Sequence, residues 1–222
     1  MQFTLEAEPE PIKLDSAKTA LIVVDMQNAF CKKDGLFDAM GMLNEEKVKP
    51  VIANNKKVIA AFRRAGIKVV YLRMAYRADL SDAGGPDSPN YWKEKGRLMA
   101  RKHSERQYLL EGSWDAEIID ELKPSPGDIV VAKNRFSGFF NTGLNSVLRT
   151  LDVKHIVFTG VATNVCVEST IRDAFFHEYF PVLVSDACTN TGPDFIQEAT
   201  IWNVKTVFGW VTQTAALLKA LK

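Results

Sequence analysis

Cysteine, histidine and net charge are all scarce in this sequence, and each scarcity removes a class of function. Cysteine occurs only at Cys31, Cys166 and Cys188, with no C-x-x-C spacing. Such a set builds no disulfide framework and points to reduced thiols in a cytoplasmic protein. The 28 basic and 27 acidic residues are interspersed and leave a formal net charge of +1, which gives no electrostatic footprint for nucleic acid or an anionic membrane. No apolar run is long enough to span a bilayer, and residues 1–10 have neither the basic start nor the apolar stretch of a secretory signal. A Gly-rich phosphate loop and a dinucleotide fingerprint are both missing, so no organic cofactor is expected. Of the histidines, His103, His155 and His177, the second is expected to open a strand and the third to sit on a helix.

What is present is a chain of 222 residues, 46% hydrophobic, long enough to bury one sizeable core. Residues 1–17 hold two prolines and mixed charge, and read as an extended N-terminal arm; residues 18–222 read as a single domain. Short β-branched apolar runs at 19–24, 67–72, 128–132, 155–159 and 181–185 predict strands covered on both faces. Helical patterns lie between them at 45–64, 141–151 and 165–178, with two more at 194–202 and 212–221 and a short strand around 206–207. Asn141 or Thr142 is the expected N-cap of the second of these helices. The polar stretch from Arg73 to Gly112 reads as a long excursion with some short helix. This alternation predicts a three-layer α/β/α fold around a mostly parallel open sheet, with ligands at the carboxyl ends of the strands.

Three chemically capable residues fall at those ends: Asp25 after the first strand, Lys133 after the third and Cys166 just beyond the fourth. A thiol attacks a carbonyl as thiolate, and the first turn of a helix together with the Lys133 ammonium favours that anion. Asp25 is placed to take the thiol proton and return it to a departing nitrogen. The N–H groups of Ala162 and Cys166 are candidates for an oxyanion hole. Phe30, Phe136 and Phe140 are candidate pocket walls, with Arg73, Asn90 and Tyr91 as candidate polar contacts to substrate. Singly, each residue has an ordinary explanation as a cap, a surface charge or core packing. Their convergence on one sheet edge favours chemistry.

The stretches Ala20-Leu-Ile-Val-Val-Asp25-Met-Gln-Asn-Ala-Phe30 and Gly160-Val-Ala-Thr-Asn-Val-Cys166-Val-Glu-Ser-Thr170 resemble the two signatures of isochorismatase-like cysteine hydrolases. The resemblance spans nearly the whole chain. It implies Asp25, Lys133 and Cys166 as a catalytic triad, a cis peptide between Val161 and Ala162, and a homo-oligomer, dimer or tetramer. Metal-binding cousins in the superfamily carry an Asp with histidines beside the pocket; the three histidines here do not form that pattern, so no metal is expected. Within the superfamily, Gly84-Gly-Pro-Asp-Ser-Pro-Asn-Tyr91, Arg135-Phe-Ser-Gly-Phe-Phe-Asn-Thr142, Ala174-Phe-Phe-His-Glu-Tyr-Phe180 and Val207-Phe-Gly-Trp210 resemble the ureidoacrylate amidohydrolases, whose relatives hydrolyse biuret and triuret. Arg73-Met-Ala-Tyr76 and Phe136 depart from that subgroup's pattern, which expects an amide-rich, tryptophan-containing stretch and a tyrosine there.

The expected function is therefore cysteine-dependent hydrolysis of a C–N bond in a small ureide such as ureidoacrylate, through a covalent thioester or carbamoyl enzyme. Biuret or triuret hydrolysis is the alternative, followed by hydrolysis of another small amide. A non-catalytic binding protein on this fold and a thiol redox sensor are rivals from other classes; the second lacks a resolving partner at suitable spacing.

Overall fold

The computed structural model describes residues 1–98 and 108–222; His103 lies outside them. An antiparallel hairpin of β1 (Gln2–Leu5) and β2 (Ile12–Asp15) leads into β3 (Thr19–Val24), β4 (Lys68–Met74), β5 (Ile129–Lys133), β6 (His155–Val161), β7 (Phe180–Thr189) and β8 (Trp210–Thr212). The last six strands form one parallel sheet in the order β5-β4-β3-β6-β7-β8. The helices are α1 (Asn28–Cys31), α2 (Leu36–Ala39), α3 (Glu45–Arg64), α4 (Pro89–Leu98), α5 (Leu144–Thr150), α6 (Glu168–Phe176), α7 (Asp194–Asn203) and α8 (Thr214–Ala220).

The central strands are apolar throughout because both faces are covered. Alternate residues of the sheet serve two cores. Leu21, Val23, Val69, Tyr71 and Val157 pack with Val58, Ile59 and Phe62 of α3 and Leu217 of α8. Ile22, Val24, Val70, Leu72 and Phe158 pack with Leu144 and Leu148 of α5 and Ile171 and Ala174 of α6. Helix α3 is locally well specified: the Asn44 side chain accepts from Lys47 N, acids fill the first turn and arginines the last, and Gly66 takes the left-handed conformation just beyond it at φ 68°.

Strand order places the site. The chain steps outward from β3 through β4 to β5, then returns to the other side of β3 for β6. The crevice between the carboxyl ends of β3 and β6 is thus a topological switch point, where ligands bind in open α/β sheets. The two strands close tightly there. A Cβ on Gly160, at φ 113°, would lie 2.1 Å from Val24 O, so only glycine fits.

Three expectations are corrected. The N-terminal segment is a packed hairpin, because Leu5, Ile12 and Leu14 bury themselves in the α3 core and Glu8 pairs with edge-strand residue Val211 through bonds of 2.8 and 2.9 Å. Residues 206–207 lie in a π-helical turn, Val204–Phe208, and the edge strand begins after Gly209. Val204 and Phe208 are buried four residues apart, a helical spacing. Finally, Gly143 caps α5, although the Thr142 hydroxyl still accepts from Leu144 N at 3.2 Å. Because Leu14 is buried, Leu14→Ala is expected to lose about 2–5 kcal/mol in urea denaturation; a loss below about 0.5 kcal/mol would show that the hairpin is only a loose arm.

Candidate active site

Asp25 follows directly on β3 in a left-handed conformation, φ 49°, and its N–H donates to Leu72 O at 3.0 Å. Lys133 is the last residue of β5. Two strands apart, the side chains meet with Lys133 Nζ 2.7 Å from Asp25 Oδ2, and both are almost wholly buried. The ammonium also reaches Arg135 O at 3.2 Å and Met74 Sδ at 3.4 Å. Buried Gln27 stiffens this corner: its side chain bridges Met74 N (2.8 Å), Met74 O (2.7 Å) and Ala116 O (2.8 Å). Cys166 lies in a π-helical turn, Thr163–Val167, between β6 and α6, a local geometry that recurs at functional sites. Its carbonyl is held by the Thr170 hydroxyl at 2.6 Å.

The peptide between Val161 and Ala162 is cis. The turn's backbone bonds include those from Val165 N and Val167 N to Ala162 O, at 3.0 and 3.2 Å.

Electrostatically the three groups are one unit. Burial raises the Asp25 carboxyl above its ordinary range, opposed by the Lys133 ammonium and the Cys166 thiol. Burial works against the Lys133 ammonium, but Asp25 and Cys166 outweigh it and leave Lys133 above its usual value. Burial also pushes the Cys166 thiol far above an ordinary cysteine, with Lys133 lowering it and Asp25 raising it. Burial thus opposes the thiolate that the Lys133 ammonium favours, and Asp25 is the acceptor beside the thiol.

Asp25, Cys166 and Ala162 line one cavity with Phe30 and Phe136. Its empty space is about 390 Å³ including the mouth. Leu36, Phe37, Met74, Leu109, Val165 and Thr191 complete much of the wall. The other four expected substrate contacts lie elsewhere. Arg73 turns to Glu117 (2.9 Å) and Glu111 (3.7 Å), because neighbouring strand residues face opposite ways and Met74 takes the cavity side. Asn90 is tied to Ala83 O at 2.9 Å, and Tyr91 packs edge-on against Trp92. Phe140 is 58% exposed: the loop is pinned by Gly138 N to the Thr170 hydroxyl at 3.0 Å, which turns Phe139 inward and leaves Phe140 outside. Strand alternation was the available signal for Met74. Leu109 and Thr191 come from loops and carried none beyond turn composition.

Among the described residues, no group of three or more His, Cys, Asp or Glu side chains is arranged to hold a metal ion, and no helix is long and apolar enough to cross a membrane. His155 opens β6, and His177 caps α6 against the Phe139 ring.

A proton-accepting carboxylate, a buried ammonium and a thiol around one small cavity are the equipment of covalent hydrolysis at a carbonyl. The relatives of this chain agree with that class. Residues 19–216 match the model of the isochorismatase domain, and the chain belongs to the isochorismatase family. Two proteins named ureidoacrylate amidohydrolase RutB are each 50% identical to it. The one from Agrobacterium fabrum aligns over 94% of this chain and 92% of its own length; that from Rhizobium rhizogenes covers 94% and 85%. A cysteine hydrolase from Pseudomonas syringae superposes with a TM-score of 0.78 at 32% identity, covering 94% of each chain. N-carbamoylsarcosine amidase from Thermoplasma acidophilum does so with a TM-score of 0.66 at 28% identity, over 89% of this chain and 96% of its own.

The charge balance at the sulfur yields an unusual expectation. Asp25→Asn removes the group that raises the Cys166 thiol and leaves the one that lowers it. Alkylation by iodoacetamide at pH 8, followed by mass spectrometry, is therefore expected to be faster at Cys166 in Asp25→Asn than in the parent, although turnover is lost. Slower alkylation would contradict the assigned electrostatics.

Proposed function

We propose that this protein is a cysteine amidohydrolase that cleaves a C–N bond of ureidoacrylate or a closely similar small linear ureide. The observation that carries the reading is the buried Asp25–Lys133 pair, 2.7 Å apart, whose Asp25 lines the cavity that holds Cys166. The substrate class is supported by the two relatives named for ureidoacrylate, each 50% identical.

In this mechanism the ureido carbonyl enters above Cys166 with its oxygen toward the N–H groups of Ala162 and Cys166. Asp25 takes the thiol proton as sulfur bonds to carbon, and the tetrahedral oxyanion is held by the two N–H donors. The C–N bond then breaks, the nitrogen leaves with the proton from Asp25, and an acyl thioester remains on Cys166. Water, deprotonated by Asp25, adds to that thioester; the C–S bond breaks and the thiol recovers its proton. Lys133 stays protonated and balances each anionic state.

A second reading, hydrolysis of an uncharged ureide such as biuret or triuret, is favoured by the wall itself. Among the described lining residues none is cationic, and nearby Lys133 is already paired with Asp25. The proposal also includes action in the cytoplasm as a homo-oligomer. Phe175, Phe176 and Phe180 expose 43%, 66% and 46% of their surface on one region, a density of aromatics typical of covered faces.

Purified protein assayed with ureidoacrylate, biuret, triuret, nicotinamide and isochorismate is expected to turn over a ureide best. Cys166→Ala is expected to keep the parent Tm and lose at least about 1,000-fold in kcat; retention of most activity would sink the mechanism. Because burial raises Asp25 and the carboxylate form is the base, kcat/KM is expected to rise with pH along an acid limb lying above the ordinary carboxylate range of about 4. A flat profile down to about pH 4 would assign the base elsewhere.

A further inference from the structure

The loop joining β7 to α7 reaches the cavity through Thr191, and it is fixed from within. Asn164, in the same turn as Cys166, donates to Thr191 O at 3.2 Å and accepts from Thr191 N at 3.1 Å. Asn190 holds the far side by donating to Gly192 O (3.0 Å) and Pro193 O (2.8 Å). The loop's backbone is thus committed to a single geometry. The Thr191 hydroxyl alone is left over: its oxygen is buried and has no hydrogen-bond partner among the described residues. The hydroxyls of Thr159 and Thr163 are buried and unpartnered too, but neither lines the cavity. A buried hydroxyl without a partner costs about 1–3 kcal/mol. At a cavity wall, an arriving ligand can remove that penalty.

The rest of the described wall sharpens the point. Phe30, Phe37, Leu109, Phe136 and Val165 offer no hydrogen bond, and the other polar side chains, Asp25 and Cys166, are occupied by the chemistry. A flat ureide carries at least one oxygen besides that of the attacked carbonyl, and an apolar slot alone does not decide which end of such a molecule faces the sulfur.

We infer that Thr191 is a substrate-positioning and specificity-determining residue, whose O–H donates to the second acceptor oxygen of the ureide, the one not attacked by Cys166. The inference rests on the proposed ureide hydrolysis and adds to it a named recognition group. Asn164 is the positioning residue behind it. Its two bonds set the separation between the recognition hydroxyl and the nucleophile's turn, so that the slot accepts ureides of one length.

The test is steady-state kinetics of the full chain with ureidoacrylate and biuret, alongside the Tm of each variant. Thr191→Val removes the hydroxyl at constant shape, and Thr191→Ser keeps it. Thr191→Val is expected to lose about tenfold in kcat/KM, mainly through KM, with a Tm no lower than the parent's. Thr191→Ser is expected to stay within about threefold of the parent. Should Thr191→Val fail to fold, Thr191→Ala is read by the same criteria. Unchanged kinetics in the hydroxyl-free variant overturn the inference while leaving the proposed function intact. Equal losses in the serine and valine variants also overturn it, since they mark a packing role. A parent protein inactive on every ureide overturns the proposed function and this inference with it.

Discussion

Two opposite charges with almost no solvent contact, Asp25 and Lys133, are the constraint on which the rest of the site depends. Neither is tolerable alone at that depth: stripping the partner from a buried ion costs about 3–5 kcal/mol. They are brought together by the sheet, not by local sequence. β3 and β5 both flank β4, and their carboxyl ends deliver the two side chains across the end of β4, where Gln27 clamps Met74 on both its N–H and its carbonyl. The corner is braced by β3, whose six residues are all buried.

That pair also dictates how the sulfur works. In a dry corner a lone thiol stays protonated, and burial dominates at Cys166. A permanently ionised thiolate would need the ammonium for itself, but Asp25 already claims it. In the proposed mechanism, proton transfer from sulfur to Asp25 moves the negative charge by one position beside Lys133 before it passes to the oxyanion. In that proposal one carboxylate serves both acylation and hydrolysis of the thioester, since each step returns the proton to where the next begins.

Much of this was legible in the sequence because it is local. Helix α3 has its cap, its apolar stripe and its terminal charges within residues 44–66, and strands buried on both faces announce themselves as unbroken β-branched runs. The meeting of Asp25, Lys133 and Cys166 was legible because strand ends are. What escaped depended on distance. An expected strand of 67–72 that in fact runs Lys68–Met74 exchanges Arg73 for Met74 at the cavity, since alternation admits no intermediate orientation. Phe136 and Phe140 are equally apolar in the sequence, and it takes bonds such as Gly138–Thr170, 32 residues apart, to leave Phe140 outside. Thr191 owes its position to Asn164, 27 residues earlier. Such contacts have no local pattern to betray them.

The most direct test of the central claim is the mass of the enzyme quenched with acid during turnover of ureidoacrylate, with the modified peptide mapped by fragmentation. The account predicts an acyl fragment of the ureide attached to Cys166 in the parent and no adduct in Cys166→Ala. An actively turning-over enzyme with no adduct at all, or with the fragment on another residue, would contradict it.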